Sequence, residues 1–364
     1  MSDLAEPAVQ DPAAPRLRVL RAGPCATIQD GGRFGYLRYG VTPAGPMDWA
    51  AFRTANLALD QDDNAAAIEI SYGGFELLCE GAPTWIAFAG GGFSWRRDHA
   101  ALPPATRVLL RPGDRLSAQA GSFGAWTYLA VEGGIETPPA MGSRATHVRS
   151  AMGGLDGRML RAGDLLPARP TAKRDPAFFE AAIEAPWLEK NGRPLRVVLG
   201  PQDDYFTADG LAAFFCSEYR LTPSADRMAY RLDGPEIPHA RGHDIVSDGI
   251  ALGAIQIAGD RKPLILMADR QPTGGYPKLG HVIGADIGRL AQMRPGEACR
   301  FTAVSVAEAR AALLDVEEDV AETPSRLHIL RPALTSETLL GINLIDGFVD
   351  ALKDPGPYLS GCDQ

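Results

Sequence analysis

The sequence predicts a mainly β protein made of two tandem units with a few short helices. Abundant Gly (40) and Pro (29) cut the 364 residues into short segments, which favours strands and turns over long helices. The apolar runs are short and bounded by Gly, Pro or Asp, as strands are. Several segments of the first half also return in the second at offsets of about 178–180 residues. A single core rarely grows beyond about 250–300 residues, so two units are also what the length leads one to expect.

Residues 1–16 are rich in Ala and Pro and read as a mobile tail. The first half spans 17–170, with strands at Leu17–Leu20, Ala67–Ile70, Trp85–Ala89, Arg107–Leu110 and Thr127–Val131, and a helix over Met47–Leu59. Phe178, Ala182, Ile183 and Trp187 fall on a helical stripe, so 171–194 is expected to be a linker helix. The second half, 195–305, opens with strand Leu195–Leu199 and holds a buried strand at Leu264–Ala268. An Ala/Glu-rich helix follows from Ser305 to about Val320, within a C-terminal helix and extension over 306–364. The repeat pairs Leu17-Arg18-Val19 with Leu195-Arg196-Val197, Tyr39–Pro43 with Tyr219–Pro223, and Ile86–Ala89 with Ile265–Ala268. Arg111-Pro-Gly-Asp114, Arg161-Ala-Gly-Asp164 and Arg294-Pro-Gly-Glu297 read as hairpin connectors in which Gly supplies the positive φ.

Composition excludes several functions. Net charge is −9 and no basic stripe is present, which argues against nucleic acid. Apolar runs are too short for a membrane helix, and the N-terminus has no secretory pattern, so a cytoplasmic location is expected. Five scattered cysteines imply neither a disulfide framework nor a zinc site, although Cys25 lies near a Gly-rich stretch. There is no P-loop, no Gly-x-Ser-x-Gly elbow and no Met-Lys dipeptide for biotin attachment. His239 and His243 are four apart, but Pro238 and Gly242 argue against the helix a metal pair would need, and no metal is expected.

Three polar clusters stand out. The first is Gln29-Asp-Gly-Gly-Arg-Phe-Gly-Tyr36, with Gln29, Asp30 and Arg33 as binding candidates and a turn cap as the structural alternative for Asp30. The second is Ser224-Ala-Asp-Arg-Met-Ala-Tyr-Arg231, with Asp226, Arg227 and Tyr230, followed by Ser247-Asp-Gly249 and Gln256. The third is Ala268-Asp-Arg-Gln-Pro-Thr-Gly-Gly-Tyr-Pro-Lys278. There Asp269, Arg270 and Gln271 leave the end of a strand, and Gly274-Gly275 permit close backbone approach to a ligand. Thr273, Tyr276 and Lys278 complete the loop, and His281 follows toward the same cleft. An acid, a cation, an amide and free N–H groups suit a small carboxylate or amide ligand. The competing reading is an ion-pair network of Asp269 that fixes the loop.

At these residues the chain resembles a known family. Thr27-Ile-Gln-Asp-Gly-Gly-Arg33, Gly40-Val-Thr-Pro-Ala-Gly-Pro-Met-Asp48, Ala67-Ile-Glu69 with Gly73-Gly74, Ser224–Arg231, Ser247–Gln256 and Ala268–Lys278 are similar in order to motifs of the allophanate hydrolase subunit 2, or biotin-dependent carboxyltransferase, family. The resemblance covers roughly 17–305. It implies two cyclophilin-like β-barrel halves. It also implies the C subunit of a bacterial 5-oxoprolinase, which opens 5-oxo-L-proline to L-glutamate with ATP used by the complex. Its partners would be a KipI-like B subunit and a LamB/YcsF-like A subunit. Asp226, Asp269 and Lys278 are then the catalytic candidates. Arg227, Tyr230, Asp248, Gln256, Arg270, Gln271, Thr273, Gly274, Gly275, Tyr276, Gln29, Asp30 and Arg33 are the substrate-binding candidates. Two alternatives stand beside this: a biotin-dependent carboxyltransferase subunit acting on urea or a related amide, and a regulatory protein that binds a KipI-like partner. The chain departs from the family pattern at Pro272, at Ala229 and at Trp49.

Overall fold

The computed structural model describes residues 14–168, 178–190 and 192–330. It is mainly β, with four α-helices among the described residues. In the first half, bent strands run through two sheets in turn. Arg16–Ala22, Phe75–Glu80, Arg115–Gln119, Ser94–Arg97 and Ala100–Leu102 lie side by side in one sheet. The adjoining stretches Thr27–Gln29, Ala67–Ser71, Trp126–Val131, Thr84–Gly90 and Thr106–Leu110 lie in the same order in the other. Strands that switch sheets need sharp corners, and small residues make them possible. A Cβ on Gly23 would come within 2.5 Å of the carbonyl carbon of Gly73, and one on Gly91 within 2.7 Å of the Gly124 Cα. Two of the corners therefore pack glycine against glycine.

The second half forms an eight-stranded sheet in the order Ala298–Cys299, Tyr219–Ala225, Ala229–Asp233, Pro263–Leu266, Ala254–Ile257, Lys278–Val282, Leu195–Leu199, Phe301–Ala303. Its two edge strands are separated in the chain by Arg300 alone, whose carbonyl accepts from Leu195 N at 2.8 Å. The sheet thus curls into a nearly closed barrel, which leaves little open edge. Strand pairing keeps the two halves apart, but packing joins them. One apolar core runs from Phe52, Trp126 and Tyr128 to Tyr230, Ile265 and Leu290.

The strands expected from the sequence all form. The expected helix is α1 (Trp49–Leu57), capped by Asp48, whose Oδ1 accepts from Ala51 N at 3.1 Å. Two helices were not anticipated: α2 (Ala208–Cys216) and α3 (Gly284–Ala291). Gly284 and Gly288 hide the helical pattern of α3. Gly288 is small because a Cβ there would meet the Asp48 carboxylate at 2.5 Å. The C-terminal helix α4 (Val306–Ala321) starts at a capping box of Ser305 and Glu308.

Two expectations need correction. The proposed linker helix over 171–194 is not one where the chain is described. Ala181–Ile183 is an edge strand on Thr106–Leu110, and Pro186–Leu188 is a single 3₁₀ turn. Ala181 and Ile183 are buried in alternation, and Pro186 would interrupt a helix. The repeat offset is also not carried into strand pairing. Arg16–Ala22 pairs with Phe75–Glu80, whose counterpart at that offset is Ala254–Ile257. Leu195–Leu199 pairs instead with Lys278–Val282 and, in parallel, with Phe301–Ala303. The three connectors behave as expected. In each, the amide of the first residue donates to the side chain of the closing acid, at 2.8, 2.9 and 3.1 Å. The expected mobile tail lies, apart from 14–16, outside the described residues, as does the extension after 330.

Candidate functional site

The strand Pro263–Leu266 is central in its sheet, and the chain leaves it at Ala268-Asp269 beside the turn that holds Arg227. Asp269 N donates to the Arg227 carbonyl at 2.8 Å. The Arg227 guanidinium donates to both Asp269 oxygens, at 2.9 and 2.8 Å, to the Gly45 carbonyl at 2.7 Å, and to Glu69 Oε1. Glu69 belongs to the first half. Its Oε2 accepts from Met47 N at 2.8 Å and from the Tyr128 hydroxyl at 2.7 Å. Glu69–Arg227–Asp269 is therefore a buried ion network that ties the second half to the first. Burial pushes the Glu69 carboxyl up, against the opposing pull of Arg227 and two hydrogen bonds. Burial would lower Arg227, but the charges of Asp269 and Glu69 hold it above its usual value.

This assigns several candidates to the scaffold. Both Asp269 oxygens are taken by Arg227, so the proton-transfer role expected of Asp269 gives way to the fixing role. Arg227 spends four of its five N–H donors on protein groups. Asp226 is exposed and caps its own turn through one oxygen, with Oδ1 accepting from Met228 N and Ala229 N at 2.8 and 3.1 Å. Tyr230 is a core residue: its hydroxyl accepts from Trp126 Nε1 at 3.1 Å and donates to the Ala291 carbonyl at 2.8 Å. In the first cluster, Asp30 accepts from Gly32 N, the Ser143 hydroxyl and Arg144 N. Arg33 donates to the carbonyls of Ala140, Ser143 and Ala145, and Gln29 to Thr27 Oγ1 and the Thr146 carbonyl. These three residues pin the 140–146 loop through these bonds, while Gln29 Oε1 and one terminal nitrogen of Arg33 stay buried without a partner.

Most of the remaining candidates converge on one niche. Asp248–Gly249 and Thr273–Gly274 form a small antiparallel ribbon, extended by Ile245 N to the Gly275 carbonyl and Ile250 N to the Pro272 carbonyl. Beneath it, Gln256 and Lys278 face each other across two paired strands. Lys278 is 1% exposed, and its Nζ donates to Asp248 Oδ2 at 2.9 Å. That bond, with further ones from Gly249 N and Gln202, lowers the Asp248 pKa. Gln256 is equally buried, yet neither of its amide atoms has a hydrogen-bond partner, and the same holds for Gln271 Oε1. An orphaned buried amide costs about 1–3 kcal/mol, a cost that a hydrogen-bonding ligand would offset. Gly274 lets the ribbon approach the Gln256 amide closely: a Cβ there would lie 2.7 Å from Ile250 Cδ1 and 2.8 Å from Gln256 Nε2. Tyr276 and Thr273 are exposed at its edge.

Other residues resolve differently. Arg270 is buried apart from this niche, in a neighbouring pocket of about 590 Å³. His281 lies in the sheet opposite Ala254, and burial pushes its imidazole pKa down. His239 Nε2 hydrogen-bonds the Ile257 carbonyl at 3.0 Å and its ring packs on Phe206, the place of a turn histidine. Burial raises the Cys25 thiol, and Glu69 adds to the shift, which disfavours the thiolate. Sequence reasoning missed Glu69, Tyr128 and Gln202 as partners of these groups. It also missed His147, whose imidazole is pushed down by burial while the nearby Asp269 pulls the other way. An acid inside an otherwise apolar strand, Ala67-Ile-Glu-Ile70, was the signal available for Glu69.

The model of the family described as carboxyltransferase domain, subdomain A and B, matches residues 39–303. The chain belongs to this carboxyltransferase family. Among its relatives, the 5-oxoprolinase C subunit of Escherichia coli is 36% identical over 312 residues, covering 86% of this chain and 99% of that protein. The 5-oxoprolinase C subunit of Haemophilus influenzae is 36% identical over 288 residues, 78% of this chain and 90% of that one. Among solved structures, the K. lactis urea amidolyase is similar with a TM-score of 0.78 at 27% identity, over 90% of this chain and 22% of that chain. The span matched to the carboxyltransferase model takes in Glu69, Arg227, Asp248, Gln256, Asp269 and Lys278. It leaves out Gln29, Asp30 and Arg33.

Proposed function

We propose that this carboxyltransferase-family chain is the C subunit of an ATP-dependent 5-oxoprolinase, which opens 5-oxo-L-proline to L-glutamate together with KipI-like B and LamB/YcsF-like A subunits in the cytoplasm. The observation that carries this reading is the 36% identity to two 5-oxoprolinase C subunits over nearly their whole lengths. The chemistry of the niche supports it. A lactam ring holds its N–H and C=O on the same side, so one primary amide can pair with both. Gln256 offers such an amide with both atoms free. Lys278, opposite Gln256, supplies the positive charge for a ligand carboxylate or for the oxyanion that forms as water adds to the lactam carbon. Asp248 orients that ammonium.

The niche residues do not fit a triphosphate. Lys278 is already paired with Asp248 at 2.9 Å, which leaves too little positive charge in the niche for the several negative charges of a triphosphate. Co-expression with the A and B subunits should give ATP-dependent release of glutamate from 5-oxo-L-proline, and Lys278→Ala should lose it at least about 100-fold. No glutamate from the complete complex would defeat the substrate assignment. The likeness to urea amidolyase favours one second reading, carboxyl transfer to urea or a related amide. Urea carries no carboxylate for Lys278, and inhibition by avidin would mark that chemistry.

A further inference from the structure

We propose that the pocket containing Arg270 is a second ligand site, separate from the amide niche, which takes a monocarboxylate carried on an apolar body. The pocket is about 590 Å³ and is walled by Phe34, Trp49, Phe52, Leu252 and Ile287, with Arg270 as its buried cation. Gln256 and Lys278 do not line it. Arg270 is 7% exposed, and no carboxylate lies within ion-pair distance of it among the described residues. Its guanidinium donates to the carbonyls of Ile250 at 3.1 Å and Met267 at 3.4 Å, which leaves N–H groups unused.

Burial lowers the Arg270 pKa against the pull of the neighbouring Asp269, whose oxygens are bonded to Arg227 and form no ion pair with Arg270. A bound anion would offset the cost of burying this cation. The other charges at the pocket, Arg53 and Asp63, neutralise each other at 2.5 Å. A planar carboxylate matches a guanidinium with one charge and parallel hydrogen bonds, whereas a phosphate dianion would leave charge unbalanced against apolar walls. The volume lies in the usual range of small-molecule sites, about 300–1,000 Å³. A five-membered lactam acid would fill a small part of it, so an aromatic or short acyl body is the better match.

The test uses the full chain, with 4-phenylbutyrate as probe and 4-phenylbutanol as its uncharged counterpart. Binding is followed through the quenching of tryptophan fluorescence, with Trp49→Phe assigning the signal. Saturable binding of the acid is expected, weaker by about tenfold or more for the alcohol and in Arg270→Gln. Leu252→Trp, which fills the pocket and keeps the guanidinium, should abolish it. If Arg270→Gln fails to fold, the acid–alcohol comparison and Leu252→Trp still decide. Equal binding of acid and alcohol, or binding that survives Leu252→Trp, would overturn the proposal. So would competitive displacement of the acid by 5-oxo-L-proline, since the pocket would then belong to the lactam site. None of these readouts depends on the 5-oxoprolinase reading, which stands or falls on glutamate release.

Discussion

Replacing Arg227 with methionine removes the one cation that serves two carboxylates, Glu69 with a fully buried side chain and Asp269 nearly so. Methionine keeps much of the length of the side chain, so the loss is chiefly electrostatic. Breaking a buried pair by removing one partner costs about 3–5 kcal/mol. The deficit should depend on pH. A buried carboxyl with a raised pKa keeps its proton in the folded chain and loses it on unfolding. Its contribution to stability is fully present below the ordinary Glu value of about 4.3 and is lost as pH rises through the folded value. Glu69 already has that direction of shift with Arg227 in place, and losing the guanidinium must raise it further. The variant should therefore be weakest near pH 8 and recover toward pH 5, by up to about 1.4 kcal/mol per pH unit for each proton retained.

Urea unfolding of wild type, Arg227→Met, Glu69→Gln and the double variant, at matched pH, measures this. The double variant should be more stable than Arg227→Met by about 1–3 kcal/mol, because the neutral amide that replaces the carboxylate can still accept from Met47 N and Tyr128. A deficit below about 1 kcal/mol, or one equal at pH 5.5 and pH 8, would refute the account of this network as an electrostatic clamp.

Two substitutions probe the niche. Gln256→Leu removes an amide with no protein partner, so the fold should keep its stability or gain about 1 kcal/mol while glutamate release by the complex collapses. A loss of both together would make Gln256 a structural residue. Gly274→Ala drives a methyl group against Ile250 and the Gln256 amide and should cost about 1–3 kcal/mol. Its KM for 5-oxo-L-proline should rise as the niche closes, and an unchanged KM would show that Gly274 does not shape it.

Several strands, the connector turns and two of the helices were legible in the sequence because each depends on neighbours a few residues away. Short bounded apolar runs mark Ala67–Ser71 and Trp126–Val131 as buried strands, Ser305 with Glu308 marks a helix start, and Arg111-Pro-Gly-Asp114 marks its own turn. The loop 268–278 was legible as a place where polar groups gather. How those groups are used was not. Asp269 and Lys278 belong to the same loop, yet one is spent on a clamp and the other reaches a niche. That outcome depends on Glu69 arriving from 158 residues before Arg227, and on Asp248 arriving from 30 residues before Lys278. Local periodicity decides which face of a segment is buried. Which charge meets which inside the fold is decided by the crossing of distant strands, and in a medium of low dielectric that meeting determines whether a polar side chain is scaffold or is left free for a ligand.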